Sequence, residues 1–127
     1  EADKSFYNYL KFNKKINQLR YVNIGPTKYF SFPILPLFLI NNKINFYCNF
    51  IKKLYSEKKV IPDLILIDGR FRVCVCLNII KFLVLKKVTK KIIIIIDDYR
   101  FRENYKILKK ILFIKQIGRF GIIKFNK

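Results

Sequence analysis

Three of the eight carboxylates in this 127-residue chain stand directly after short apolar runs. Asp68 follows Leu64-Ile-Leu-Ile67, and Asp97-Asp98 follow the five isoleucines Ile92 to Ile96. Uninterrupted runs this short, rich in β-branched residues, read as buried strands and not as helices. In an open α/β sheet the ligand crevice lies at the carboxyl ends of the strands. Sequence order thus brings Asp68, Asp97 and Asp98 to one rim. Three carboxylates near water suit a hard cation such as Mg²⁺. The same positions suit helix N-caps, since an Asp at a strand-to-helix junction accepts from the unpaired N–H groups of the first turn. On sequence alone the two readings stand side by side.

Arginines gather at the same places. The chain carries 21 Lys and only 6 Arg, yet Arg70, Arg72, Arg100 and Arg102 all fall beside these aspartates. A guanidinium pairs bidentately with carboxylate or phosphate, so these four either neutralise the aspartates or hold an anionic substrate. Other chemistries are excluded. With no His there is no Ser-His-Asp or Cys-His arrangement. No GxGxxG or P-loop cradles a phosphate. Cys48, Cys74 and Cys76 cannot assemble four thiolates for zinc, and read as small buried hydrophobes of a reducing compartment.

The elements that position this rim follow from periodicity and breakers. Asp3 is placed to cap a helix over 4–12, with Phe6, Tyr9 and Leu10 on one face. Tyr21 to Gly25 reads as a strand ended by Gly25-Pro26. Residues 27–42 hold Pro33 and Pro36 and show no period, so they read as a surface loop. A helix is expected over 43–58, burying Phe46, Phe50, Ile51 and Leu54. Leu64 to Ile67 is apolar throughout, which predicts a central strand covered on both faces. Helices over 71–85 and 102–112 alternate with the strand at 92–96, and 113–117 with 120–125 form a hairpin around Gly118-Arg119. Such alternation means an α/β layered sheet with an antiparallel edge, in a single domain over 1–127.

The formal charge of +19 points to nucleic acid or an anionic membrane surface. However, 22 Ile and 11 Asn accompany the lysines, and Lys, Ile, Asn, Phe and Tyr are the residues of A/T-rich codons. A biased genome yields this composition whatever the function, and nucleic-acid sites prefer Arg. A nucleic-acid partner is therefore not favoured. The uncharged apolar stretches fall short of the roughly 18 residues that span a bilayer. A cytoplasmic location, or an organellar matrix in an A/T-rich genome, is expected. Nothing in the sequence sets an oligomeric state.

Together the quoted motifs resemble a known family. "PDLILIDGRFRV", then "IIIIIDDYRFRENY", then "IGRFGIIKF" are similar to the second half of a class I (Rossmann-like) S-adenosylmethionine-dependent methyltransferase-like family. "YVNIGPTKYFSFP" resembles that family's "VDIGPT" strand and following loop, and "EADKSFYNYL" the segment after its second strand. The resemblance implies a Rossmann-like three-layer sheet with a C-terminal antiparallel hairpin, in the order 3-2-1-4-5-7-6. Strands 1 and 2, with the glycine-rich cofactor loop, would be missing from 1–127, leaving an exposed hydrophobic sheet edge. It further implies O-methyl transfer to a small or sugar-like acceptor. S-adenosylmethionine would be bound by Glu1 and Asp68, with Asp68, Arg70 and Arg72 at the catalytic centre. Mg²⁺ would lie on Asp68, Asp97 and Asp98, and Tyr99, Arg100 and Arg102 would face the substrate. Arg70 departs from metal-binding relatives, which often carry an acid and a His after "IDG". The alternatives are a basic RNA- or ribosome-associated module and an inactive scaffold of the same fold in which arginines pair with the aspartates.

Overall fold

Leu64–Ile67 and Ile92–Ile96 form the two parallel strands that the apolar runs demand, in a computed structural model that describes residues 4–13, 21–28 and 32–126. The chain divides into two units, Glu1–Cys48 and Asn49–Lys127.

In the first unit, α1 spans Lys4–Asn13. Its expected cap, Asp3, lies outside the described residues. Phe6 and Tyr9 stack at 6.2 Å but stay largely exposed. Tyr21 to Ile24 forms no strand, although Val22 and Ile24 alternate into buried positions as a strand would. A strand needs a partner ladder, and the described residues supply none here. Asn23 Oδ1 accepts from the Gly25 N–H at 2.8 Å, and Gly25 takes φ +98°, which turns the chain. The expected loop over 27–42 is more ordered than its composition suggests. It contains a two-stranded antiparallel ribbon, β1 (Thr27–Lys28) with β2 (Phe32–Pro33), and a 3₁₀ turn at Leu37–Ile40. α2 (Asn41–Cys48) follows.

The helix expected over 43–58 is two helices, because Asn49 leaves helical geometry at φ −96°, ψ 19°. α3 (Phe50–Lys58) opens the second unit and buries Ile51, while Phe46 and Phe50 remain exposed. β3 (Leu64–Ile67), α4 (Arg72–Leu85), β4 (Ile92–Ile96), β5 (Lys115–Ile117) and β6 (Phe120–Phe125) complete this unit, with 3₁₀ segments at Tyr99–Phe101 and Glu103–Lys110. The last was expected as an α-helix. Its buried residues, Tyr105 and Leu108, are three apart, and Glu103 pairs with Lys106 at 2.7 Å over the same spacing. An i,i+3 repeat is the one that a 3₁₀ helix eclipses.

The sheet order is β3-β4-β6-β5, with β3 and β4 parallel and the other pairs antiparallel. One face carries Ile67, Ile92, Ile94, Ile96 and Ile123 and packs with Cys76, Leu83 and Leu108 as the core. Such burial is the main favourable term in folding. The opposite face differs from expectation. β3 is an edge strand, not a central one, and Leu64 and Leu66 are 59% and 60% exposed. An unbroken apolar run implies cover on both faces, and among the described residues only the Ile65 and Ile67 side is packed. At the amino end of the parallel pair, Lys90 Nζ donates to the Ile61 carbonyl and to Asp63 Oδ1.

Candidate functional site

Arg72 stands in the first turn of α4, five residues past the end of β3, and is 8% exposed. The register that pairs Ile67 with Ile96 puts the carboxyl ends of both parallel strands beside it. Its Nη2 donates to Asp68 Oδ1 at 2.8 Å. Its Nη1 donates to the Asp97 carbonyl at 2.9 Å and to Asp98 Oδ2 at 3.1 Å. One guanidinium therefore ties the two strand ends together. Arg102 approaches Asp98 Oδ2 at 3.7 Å, and Arg119, from the β5–β6 turn, pairs with Asp97 through two contacts of 2.7 Å.

The rim anticipated from sequence thus forms, and the three aspartates do converge. What they converge on is arginine. Neither Asp68 nor Asp97 caps a helix, since α4 and the 3₁₀ turn at Tyr99 begin without any side-chain cap hydrogen bond. The pairing partners also differ from expectation: Arg72, Arg102 and Arg119 meet the aspartates, while the Arg100 guanidinium lies 6.0 Å over the Phe101 ring. Arg119 was missed because it sits in a turn remote in sequence. Its rarity in a Lys-rich chain was the available signal. Tyr99, expected at the substrate, points into the core, where its ring meets Gly121 and its hydroxyl is buried. Glu1, expected at the cofactor, lies outside the described residues.

The electrostatics follow from this wiring. The Arg72 hydrogen bond holds the Asp98 carboxyl below the usual carboxylate range, against a smaller opposing effect of burial, with further help from the charges of Arg72, Arg119 and Arg102. Burial works against the charge on Arg72. The hydrogen bond to Asp98 and the nearby Tyr105, Asp68 and Asp98 outweigh it and raise its pKa. Burial pushes the Cys76 thiol up to about 12, so it packs as a neutral group. The Asp98 shift has a sign. A carboxylate with a depressed native pKa stabilises the fold fully above its unfolded value of about 3.9, and that stabilisation disappears as pH falls through the native value. Urea midpoints measured against pH are expected to fall below about pH 4 in the native chain and to fall less steeply in Asp98→Asn.

Mg²⁺ does not fit this arrangement. Arg72 and Arg119 occupy oxygens that a cation would need, and among the described residues no group of three acidic or thiol side chains is gathered to hold a metal ion. Two backbone features were invisible in the sequence. Phe71 and Asp98, just past the two parallel strands, both adopt left-handed backbone, at φ 56° and 52°. For Asp this is tolerated, but for Phe it is strained, and strain of this kind clusters at ligand sites.

No family model matches the chain, and no curated protein matches it. Among solved structures it is similar to a methyltransferase-like protein from Silicibacter pomeroyi, with a TM-score of 0.68 and 22% identity. The likeness covers 99% of this chain but 65% of that protein, so the chain spans about two-thirds of its length. The chain has a methyltransferase-like fold.

Proposed function

We propose that this chain is part of an S-adenosylmethionine-dependent methyltransferase acting on oxygen of a small or sugar-like acceptor. The observation that carries the reading is the sheet order β3-β4-β6-β5 with an antiparallel β6. It corresponds to the 4-5-7-6 half of the order that the sequence motifs imply. In this reading the open edge of β3 is where strand 1 would pair. Asp68, at the carboxyl end of β3 and half exposed, is oriented by Arg72 to accept a hydrogen bond from the acceptor hydroxyl. Arg70 and Arg102 would hold anionic groups of the acceptor. S-adenosylmethionine, when bound, supplies an electrophilic methyl group on a sulfonium. Asp68 is the one cofactor contact implied by the family resemblance that the described residues contain, which is too little to hold that ligand.

A second reading, an inactive scaffold, is favoured by the engagement of all three aspartates by arginines. The two separate on one substitution. The test uses the polypeptide encoded by the open reading frame that includes the codons upstream of Glu1. Asp68→Asn in that polypeptide is expected to lower methyl transfer from tritiated S-adenosylmethionine by about 100-fold or more, a loss far larger than the modest fall in unfolding midpoint that comes from weakening its pair with Arg72. A change in stability without any turnover to lose assigns the scaffold. Upstream codons that encode no apolar strand and no glycine-rich turn would remove the enzyme reading altogether.

A further inference from the structure

Phe101 and Phe120 are 70% and 37% exposed, and each carries a guanidinium over its ring. Arg100 lies 6.0 Å from the Phe101 ring centre, and Arg119 lies 5.3 Å from that of Phe120. Both distances are within the range of a cation–π pair. The two pairs belong to segments that touch. The Arg100 N–H donates to the Arg119 carbonyl at 3.2 Å, which joins the 3₁₀ turn at Tyr99–Phe101 to the tip of the β5–β6 hairpin. Two aromatic side chains and two guanidinium planes thus stand together in water.

The charge beside them is uncompensated. Asp68, Asp97 and Asp98 are already matched by Arg72, Arg102 and Arg119. Arg100 and Lys109 have no carboxylate partner among the described residues, and Lys109 Nζ stands 5.8 Å from the ring centre of Tyr99, next to Arg100 in the chain. From Tyr99 to Asn126 the one carboxylate side chain is Glu103, and Lys106 pairs with it. Aromatic rings interleaved with such cations suit a single-stranded nucleic acid, whose bases stack on rings and guanidinium planes while its phosphates meet the charges. Arginine is scarce in the sequence, which disfavours this partner, but the fold brings Arg100 and Arg119 together. An acidic peptide would use the cations and not the rings. A bilayer would take the rings, but each would carry a guanidinium toward hydrocarbon at high cost.

We propose that Arg100, Phe101, Arg119 and Phe120 form a binding surface for single-stranded nucleic acid, with Lys109 beside it. This surface is independent of methyl transfer, and binding is read with no cofactor present. Residues 1–127 are titrated into fluorescein-labelled oligouridylate and oligothymidylate of about twelve nucleotides, and the tighter of the two identifies the source. Phe101→Ala is expected to weaken binding of that strand at least about fivefold, with an unchanged circular dichroism spectrum because the side chain is exposed. Arg100→Gln should weaken it too, and should reduce the slope of log affinity against log salt by about 0.7. Phe113→Ala and Lys124→Gln are the controls and should leave the affinity nearly unchanged. Phe113 is 90% exposed ahead of β5, and Lys124 lies opposite Ile93, toward the end of β4 away from Asp97. The chain has no Trp, so Phe101→Trp keeps an aromatic plane and adds a reporter whose emission should be quenched by the bound strand. Any of three results overturns the proposal: wild-type affinity in Phe101→Ala, equal losses in Arg100→Gln and Lys124→Gln, or equal affinity for a duplex of the same length, whose bases cannot reach the rings. Sedimentation with phosphatidylserine vesicles without binding of either strand overturns it in favour of an anionic membrane surface.

Discussion

Arg72→Met is expected to destabilise the chain by about 2–3 kcal/mol, a fall of roughly 10 °C in Tm. Methionine fills much of the same volume, so the loss is electrostatic and not a cavity. Arg72 is buried and donates to Asp68, to Asp98 and to the Asp97 carbonyl. Removing it takes from Asp68 its ion pair, leaves Asp98 with the longer contact to Arg102, and leaves a buried carbonyl without its donor. A fully buried pair would cost about 3–5 kcal/mol. The figure is lower here because Asp68 and Asp98 keep contact with water, which screens them. Arg72→Met combined with Asp98→Asn should cost less than the sum of the two single changes, since the second removes the charge that the first abandons. Strict additivity in urea unfolding would show that Arg72 acts as a packing residue only.

The second large effect is expected from the smallest possible substitution. A Cβ at Gly121 would lie 2.7 Å from Tyr99 Cγ and 2.8 Å from Cδ2. The Tyr99 ring is buried and cannot swing into solvent, and Gly121 is held in the β4–β6 ladder opposite Ile96. Either the ring or the ladder must give, so Gly121→Ala should cost about 2–3 kcal/mol through overpacking. Gly118 provides the contrast. A Cβ there meets nothing within 4 Å, but its φ of +56° is strained for alanine, so Gly118→Ala should cost only about 1 kcal/mol. Equal chemical-denaturation midpoints for the two variants would show that Tyr99 is not packed on Gly121.

Much of the second unit was legible because its signals are local. Five isoleucines have one compatible geometry, and Gly118-Arg119 between apolar runs marks a turn, so β4 and the β5–β6 hairpin emerge within a few residues of expectation. The same locality explains the misreading of β3. Leu64-Ile-Leu-Ile67 records that two covered faces suit its composition, but the order of strands decides whether cover is present. The break at Asn49 was hidden because Phe46, Phe50, Ile51 and Leu54 keep helical spacing across it, and spacing cannot report a single non-helical residue. At the rim, the convergence of Asp68, Asp97 and Asp98 followed from strand ends alone. Which arginines would meet them did not. Arg72 reaches its partners because the short non-helical link over 68–71 sets the first residue of α4 over both strand ends, and Arg119 because a hairpin returns it from more than twenty residues away. The left-handed Phe71 carries no sequence signal, since the residue type opposes the conformation.

The chain has a methyltransferase-like fold, and we propose that its residues form the acceptor side of such an enzyme and contribute little to holding the cofactor. Calorimetric titration with S-adenosylmethionine tests it directly, applied to residues 1–127 and to the polypeptide of the full open reading frame. Residues 1–127 are predicted to bind more weakly than about 1 mM, and the longer polypeptide at micromolar concentrations, about 4 kcal/mol tighter. Tight binding by residues 1–127, or no binding by the longer polypeptide, would contradict the account.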